Sequence, residues 1–255
     1  MLIELDIVDL VLTIILIVIA LSVSRWQQLG LEGQLLFSAG RALLQLAAVG
    51  YVLELVFTLK TPWAVLAVLL VMVAIATTIT RSRISQQRWQ WFGMIGGSLV
   101  LTTALTLGYV MLLIVQPTTW YDPQYWIPLA GIIIGNAVNG ATVAGERLIN
   151  ALETNRGEIE THLCLGATPQ GAIALYRRQA IRAGILPNLN QMALVGIVTL
   201  PGILTGQLLG GVTPLNAVSY QILVLFTLAL ANLLTTSLIT AGIYRQFFTP
   251  QAQLR

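Results

Sequence analysis

Residues 62–80 read PWAVLAVLLVMVAIATTIT, and this stretch contains no charged side chain. About 20 mostly apolar residues cross the hydrocarbon core of a membrane as an α-helix. The rest of the chain has the same character, since 56% of its 255 residues are hydrophobic and only 9% are charged. Soluble domains carry about 25% charged residues. The sequence therefore predicts an all-α, polytopic membrane protein with no room for a large soluble domain.

Seven stretches have the length and composition of a span, counted with their flanks. They are residues 8–24, 38–59, 62–80, 91–115, 127–149, 190–211 and 217–243. We interpret residues 1–255 as a single transmembrane domain, with a long loop at about 150–189 between the fifth and sixth spans. The start of the chain carries Glu4, Asp6 and Asp9 and lacks the positive charge of a secretory signal, so we expect the first span to be retained.

The basic residues predict the orientation of the spans. With the N-terminus outside, twelve of the thirteen Lys and Arg residues lie on the inner side, and only Lys60 lies outside. Cytoplasmic loops carry such an excess. The sequence thus predicts a multi-pass protein of the plasma (inner) membrane with a cytoplasmic C-terminus. The net charge of +3 is explained by this orientation and does not indicate nucleic-acid binding.

Interface aromatics support the same arrangement. Trp and Tyr collect where membrane helices meet water. Trp120, Tyr121, Tyr125 and Trp126 lie on an outer link, whereas Trp89 and Trp91 lie on the inner side.

The inner loop at 150–189 carries helical signals. Ile159 and Leu163 are four residues apart, which fits a short helix, and Gly166 permits a sharp turn after it. Thr168 followed by Pro169 is typical of a helix start. We expect two short amphipathic helices that form a compact knob facing the cytoplasm, although an ordinary interfacial loop fits the pattern as well.

The second of these helices has a predicted orientation and end. Its apolar stripe comprises Ile173, Tyr176, Ala180 and Ile181, with Gln170, Arg178 and Arg182 on another face. Such a helix can lie along the membrane surface. Pro187 is expected to end it, because the residue before a proline resists helical geometry. Asn188 or Asn190 would then cap the next span.

Small residues recur at four-residue spacing in two spans. Gly131 and Gly135 lie on the fifth span, and Gly202, Gly206 and Gly210 on the sixth. Small faces let membrane helices approach closely. The pattern fits packing inside the monomer, and it also fits packing of the sixth span across the axis of a permease dimer.

Polar side chains inside a bilayer are costly and are candidates for function. Gln45, Asn136, Asn139 and Gln207 are candidates for a translocation path, or they hydrogen-bond neighbouring helices as structural contacts. Glu54 is the only carboxylate well inside a span. It could bind a cation or carry a proton, or it could reach the outer interface or pair with Lys60.

Catalytic and metal-binding signals are weak. ATP hydrolysis by the common route needs a G-x-x-x-x-G-K-[ST] motif, and the single Lys60 has no such context. His162 and Cys164 are two residues apart, which on a helix directs them to different sides and makes a poor metal site. Cys164 is the only cysteine, so no internal disulfide forms. We expect a chain that is not an enzyme.

The knob resembles a known motif. Glu160, followed by Leu165-Gly166-Ala167, is similar to the coupling motif of ATP-binding-cassette (ABC) permeases, in which Glu-Ala-Ala precedes Leu-Gly-Ala. Thr161 and His162 replace the two alanines. The resemblance implies that Glu160, Leu165, Gly166, Ala167 and Thr168 contact an ATPase subunit.

Most of the chain resembles the FetB-type permease family, described as iron exporter subunits in bacteria, with plant relatives linked to aluminium tolerance. The resembling segments are GRALLQL at 40–46, GYVL at 50–53, GIIIGNA at 131–137, LGATP at 165–169, AIRA at 180–183, TLPG at 199–202 and TGQ at 205–207. Ile203-Leu204 departs from the bacterial exporter, which has a Met pair there.

The resemblance implies a transporter of two permease subunits and two separate ATPase subunits. ATP and magnesium would bind to the ATPase, and this chain would hold no cofactor. The exported species would be iron or another metal cation. A stand-alone channel or an ion-coupled secondary transporter remains the alternative, with Glu54 as its only intramembrane charge. A membrane-embedded enzyme ranks last, since no His or Asp is buried at membrane depth in the predicted spans and the serines lack a nearby base.

Overall fold

The computed structural model describes residues 7–59, 61–84, 91–249 and 253. The helices within these residues are α1 (Ile7–Trp26), α2 (Glu32–Leu59), α3 (Pro62–Ile84), α4 (Phe92–Tyr109), α5 (Pro123–Thr154), α6 (Arg156–Cys164), α7 (Pro169–Ala172), α8 (Ala174–Leu194), α9 (Gly202–Leu209) and α10 (Pro214–Phe247). No strand is assigned within these residues, and an isolated bridge pairs Val195 with Thr199. The predicted all-α fold is confirmed.

Five of these helices are long and apolar enough to cross a membrane: α2, α3, α4 with its π-helical extension Val110–Val115, α5 and α10. A shorter apolar helical stretch covers Leu12–Trp26 within α1. The polytopic architecture is therefore confirmed. The count of seven spans stays a prediction.

The sixth predicted span, 190–211, is not one helix. Residues 190–194 are the end of α8, and the helix stops where Val195 adopts an extended conformation. The chain then makes a tight loop, in which Gly196 has a φ of +79° and donates a 2.9 Å hydrogen bond to the Thr199 carbonyl. Helical structure resumes as the short α9. The prediction of a continuous span was wrong, because apolar composition does not reveal a turn set by a left-handed glycine.

The predicted end of the loop helix at Pro187 was also wrong. Pro187 lies inside α8, which continues to Leu194. Asn188 is buried within the helix and caps nothing; its Nδ2 donates to the Leu228 carbonyl of α10 at 3.2 Å. A proline removes only local backbone bonds, and neighbouring membrane helices compensate for them.

α8 does not lie along the membrane surface as expected. It packs between α5 and α10. Arg177 contacts Ser237 and Thr240 of α10, whereas Asn188, further along α8, contacts Leu228. Residues later in α8 therefore contact residues earlier in α10. This order shows that α8 is antiparallel to α10 and enters the helix bundle.

Contacts divide the chain into two compact units. One unit is Met1–Lys60 with Leu209–Gly211, and the other is Thr61–Leu208 with Val212–Arg255. In the first unit, α1 packs on α2, and Ser24 Oγ donates to Glu32 Oε1 at 3.1 Å across the turn. The second unit, called the main unit below, contains α3 to α8, α10 and all of α9 except its last residue. The expectation of a single transmembrane domain stays a prediction.

The closest helix approach in the main unit joins α5, α8 and α10. A Cβ atom added to Gly184 of α8 would lie 2.7 Å from the Gly140 carbonyl oxygen of α5. Asn232 of α10 donates from Nδ2 to the Gly184 carbonyl at 3.1 Å, and its Oδ1 occupies the space that a Cβ would need at Gly140. Small residues thus let three backbones meet around one buried amide.

Most buried threonines of this core bond within their own helix, although the buried Oγ1 atoms of Thr102 and Thr103 have no hydrogen-bond partner among the described residues. Six fully or nearly fully buried hydroxyls donate to the carbonyl four residues earlier in their own helix, those of Thr77, Thr80, Thr106, Thr235, Thr236 and Thr240. Such bonds satisfy the hydroxyl locally. These side chains are therefore compatible with an apolar environment.

The two ends of the main unit differ in composition. Ile84 packs on Gly145, and Trp91 contacts Phe247, so the C-terminal ends of α3, α5 and α10 share one end. We call it the basic end. Its described arginines are Arg81, Arg83, Arg147, Arg156, Arg177, Arg178, Arg182 and Arg245. Arg88, Trp89, Lys60 and Arg255 lie outside the described residues.

The opposite end of the main unit is aromatic. Trp120 and Tyr121 stack edge-to-face at 5.3 Å, and Trp126 Nε1 donates to the Trp120 carbonyl at 2.6 Å. The described basic residues of the main unit thus lie away from this aromatic end, which agrees with the one-sided charge pattern of the sequence. The side of the membrane that each end faces stays a prediction.

We expect Gly184→Ala to destabilise the protein by about 1–3 kcal/mol, because the new methyl group overpacks the α5–α8–α10 crossing. The measurement is thermal unfolding of the purified chain in detergent. Gly97→Ala is the matched control, since Gly97 is an exposed α4 glycine with open space around it. Equal stability of Gly184→Ala and the parent protein would contradict this account of the crossing.

Candidate functional site

The knob, defined as α6, the turn Leu165–Thr168 and α7, has a turn fixed by backbone hydrogen bonds. Gly166 donates to the Leu163 carbonyl and Ala167 to the His162 carbonyl, both at 3.0 Å. With Gly166 at a φ of +89°, these bonds form a Schellman motif that ends α6. The predicted sharp turn at Gly166 is confirmed.

The start of the second helix is also as predicted. Thr168 caps α7, accepting a 3.2 Å hydrogen bond from the Gly171 N–H, and Pro169 occupies the first turn. The helix is shorter than expected, because Ile173 interrupts it and α8 begins after that residue. Two helical segments therefore follow the turn.

One face of the knob anchors it and the other faces outward. Ile159 is completely buried and Leu163 packs against the core cluster. Leu165, by contrast, is 80% exposed. Glu160 is half-exposed and pairs with Arg156 at 2.8 Å. The predicted coupling residues Glu160, Leu165, Gly166, Ala167 and Thr168 all lie on the knob.

A contact that the sequence analysis missed ties the knob to α8. The Tyr176 hydroxyl donates to Glu158 Oε2 at 2.8 Å. Partial burial of the ring, together with this hydrogen bond and the negative charge of Glu158, raises the pKa of Tyr176. Glu158 and Tyr176 are eighteen positions apart, and no sequence periodicity links them. The contact couples the orientation of α6 to that of α8.

His162 and Cys164 are exposed on α6. His162 Nε2 lies 3.8 Å from Glu158 Oε1. The described part of the chain contains no group of three or more His, Cys, Asp or Glu side chains arranged to hold a metal ion.

A second feature is a cavity of about 640 Å³ towards the aromatic end, called the polar cavity below. It lies between the first turns of α5, α9 and the first turns of α10. Its polar lining residues are Gln124, Tyr125, Gln207, Asn216, Ser219 and Tyr220. Gln207 Oε1 is buried and has no hydrogen-bond partner among the described residues. The Gln207 side chain therefore lines the cavity, while its Oε1 atom is itself covered by protein.

The structure brings only part of the predicted path together. Gln207 lines the polar cavity, but Asn136 and Asn139 do not. Asn136 Nδ2 donates to the Ile132 carbonyl of its own helix at 3.2 Å, and Asn139 is exposed on α5. Gln45 is exposed on α2, in the first unit.

Glu54 is also exposed on α2. Its proposed partner Lys60 lies outside the described residues. The choice between a functional role and an interfacial role for Glu54 therefore stays open.

The lining of the polar cavity limits its chemistry. Amide and hydroxyl groups face it, and no carboxylate, imidazole, thiol or thioether does. Soft ligands select soft transition metals, whereas oxygen ligands suit hard or hydrated cations. The sequence analysis missed Asn216, Ser219 and Tyr220, although their i, i+3, i+4 spacing indicates one polar helix face.

The glycine stripes divide into two cases. Gly131 packs against Met72 of α3, as expected for packing inside the monomer. Gly202 and Gly206 of α9 have open space around them, and Gly210 follows the end of α9. Packing of the sixth-span glycines across a dimer axis stays a prediction.

We expect Gly166→Ala to loosen the end of α6, because a left-handed backbone costs an L-residue about 1–2 kcal/mol. Amide hydrogen exchange at residues 163–167 measures the effect. Gly157→Ala is the control, since Gly157 lies inside α6 with open space around it and alanine favours a helix. Unchanged exchange in Gly166→Ala would contradict the Schellman assignment.

Sequence comparisons show where the chain has relatives. Residues 7–248 match the uncharacterised protein family UPF0014. The UPF0014 membrane protein slr1647 of Synechocystis is 52% identical over 99% of this chain and 98% of its own length. The Escherichia coli protein named "Probable iron export permease protein FetB" is 31% identical over 96% of this chain and 93% of its own length. "Protein ALUMINUM SENSITIVE 3" of Arabidopsis thaliana is 33% identical, covering 95% and 87%. No solved structure matches the chain significantly.

Proposed function

Since the chain belongs to the UPF0014 family of membrane proteins, which includes FetB, we propose that it is the permease subunit of an ABC transporter. In this proposal the chain spans the plasma (inner) membrane, with its N-terminus outside and its C-terminus in the cytoplasm. A separate ATPase subunit binds ATP and magnesium and supplies the energy. The chain itself is a transport subunit and not an enzyme.

The knob is the observation that carries this proposal. A permease must present a stiff element to its ATPase, because a flexible loop would absorb the motion that ATP binding generates. The Schellman turn and the buried Ile159 hold the knob in one orientation, and the exposed Leu165 offers an apolar contact. The Glu158–Tyr176 hydrogen bond connects the knob to α8, which enters the bundle.

The exported substrate is proposed to be iron or another metal cation. The support is the printed name of the FetB relative, together with the amide and hydroxyl groups among the lining residues of the polar cavity. Because the cavity lacks soft ligands, the cation would be held through amide and hydroxyl oxygens, with water or a chelating group completing its coordination.

A second copy of the permease is proposed as partner. Gly135 and Asn139 are exposed and Asn136 is partly buried at the middle of α5, so the three form a partly polar stripe. Polar groups at membrane depth favour contact with protein or a water-filled path over contact with lipid. A homodimer that encloses this stripe would meet that requirement.

We expect Leu165→Glu to reduce metal efflux and ATPase copurification by at least about tenfold, because a charge replaces the exposed apolar contact of the knob. Cells expressing the variant are assayed for metal efflux, and the detergent-solubilised chain is tested for copurification of a G-x-x-x-x-G-K-[ST] protein. Leu165→Met keeps an apolar side chain and serves as the control.

The competing stand-alone channel or ion-coupled carrier gives a different result. The purified chain in nucleotide-free vesicles would then transport metal unaided, and Leu165→Glu would transport as the parent does. Either outcome would overturn the ABC proposal.

We expect Gln207→Leu to lower metal efflux about fivefold, because the cavity loses a hydrogen-bonding group worth about 1 kcal/mol. ATPase copurification should be unchanged, since Gln207 lies far along the chain from the knob. Gln191→Leu is the control, because Gln191 is exposed on α8 outside the cavity. Equal efflux for Gln207→Leu and the parent would exclude this cavity from the path.

A further inference from the structure

A second cavity lies at the basic end, where the start of α8 meets the end of α10. Its volume is about 360 Å³, and two adjacent arginines, Arg177 and Arg178, line it. Tyr244 of α10 and Gln170 of α7 add a hydroxyl and an amide. We call this feature the arginine cavity.

The two guanidinium groups lack an anionic partner. No acidic side chain lines the cavity. Among the described residues, the salt bridges join Arg156 to Glu160 and His162 to Glu158, and neither includes Arg177 or Arg178. Two like charges on adjacent residues repel each other, so an anion in the cavity would stabilise both.

Arg177 is held in place by the protein. Its Nε donates to Thr240 Oγ1 at 3.3 Å, and one terminal nitrogen donates to the Ser237 carbonyl at 3.4 Å. A guanidinium has five N–H donors, so the others remain for a ligand. Arg178 is exposed and can close over the opening.

The position of the cavity fits the level of lipid headgroups. Ser237 lies about 35 Å along α10 from Pro214, at about 1.5 Å per residue. The hydrocarbon core of a bilayer is about 30 Å thick, and the headgroup regions extend it to about 40–45 Å. Ile173 and Ile181 add apolar walls beside the charges. The arginines and these isoleucines together suit a ligand that is anionic at one end and apolar at the other.

We propose that the arginine cavity binds a phosphate group at the membrane interface of the basic end. Arginine recognises phosphate through paired N–H donors, and Tyr244 supplies a further hydrogen bond. The phosphate belongs to an anionic phospholipid or is a free phosphate ion, and the two sources share this chemistry. The site is independent of the proposed transport function.

The test uses the full-length chain purified in detergent. Its thermal midpoint and its retained lipid, seen by native mass spectrometry, are measured with phosphatidylglycerol, with phosphatidylcholine and with millimolar inorganic phosphate. We expect phosphatidylglycerol to bind more tightly than phosphatidylcholine. Arg178→Gln should weaken this binding about tenfold, since a hydrogen bond to a charged group contributes about 1.5–3 kcal/mol.

Arg182→Gln is the matched control. Arg182 is exposed on α8 one turn after Arg178 but does not line the cavity. It should bind phosphatidylglycerol as the parent does. Arg178→Lys, which keeps the charge and loses the paired donors, should fall between the parent and Arg178→Gln. It also provides a readout should Arg178→Gln fail to fold.

The measurements with lipid and with inorganic phosphate distinguish a phospholipid from a free phosphate ion as the ligand. They also define the results that contradict the proposal. Stabilisation by inorganic phosphate that Arg178→Gln abolishes assigns the site to a free ion, whereas an effect of phosphatidylglycerol alone assigns it to lipid. Three results would overturn the proposal. They are an absence of any preference for phosphatidylglycerol together with no effect of phosphate, an equal loss of binding in Arg182→Gln, or unchanged binding of both phosphatidylglycerol and phosphate in Arg178→Gln.

Discussion

The main unit depends on one crossing, at which Gly140, Gly184 and Asn232 bring α5, α8 and α10 together. In lipid, burial of apolar surface gives little advantage, and helices associate through close packing and hydrogen bonds. Here Gly140 and Gly184 lack Cβ atoms, which permits close packing, and the side-chain amide of Asn232 donates the hydrogen bond. The crossing holds α8 inside the bundle even though α8 follows a polar loop and contains Pro187.

That placement of α8 connects the functional features of the main unit. α8 follows the knob at the basic end, and its first turns line the arginine cavity. Beyond its last residue, the tight loop at 195–201 leads to α9, which lines the polar cavity. The proposed sites for coupling, for phosphate and for substrate therefore lie along one continuous segment of chain.

Much of this arrangement could be predicted from sequence, because it depends on residues that are close to one another along the chain. The apolar stretches lie within a few residues of the observed α3 and α10 because composition and length determine a membrane helix. The Gly166 turn and the Thr168 cap were predictable because neighbouring backbone atoms decide them. The continuation of α8 through Pro187 was not, since contacts with residues forty or more positions away hold it in the bundle. The loop after Val195 was not either, because apolar composition does not reveal the left-handed Gly196. Similarly, Gly184 has only Ala180 at the four-residue spacing of small residues, whereas the regularly spaced Gly202 and Gly206 have open surroundings.

The crossing also has a mechanical consequence. Gly184 is the midpoint of α8, so the helix extends about 15 Å to either side of it, at about 1.5 Å per residue. For a rotation of α8 as one rigid body about this crossing, the two arms of the helix are equal in length. A tilt that pushes the first turn of α8 towards α10 by 2 Å, an illustrative value of about one residue rise, swings the last turn away by the same amount. A displacement of the first turn of α8 would thus produce a displacement of its last turn that is equal in size and opposite in direction.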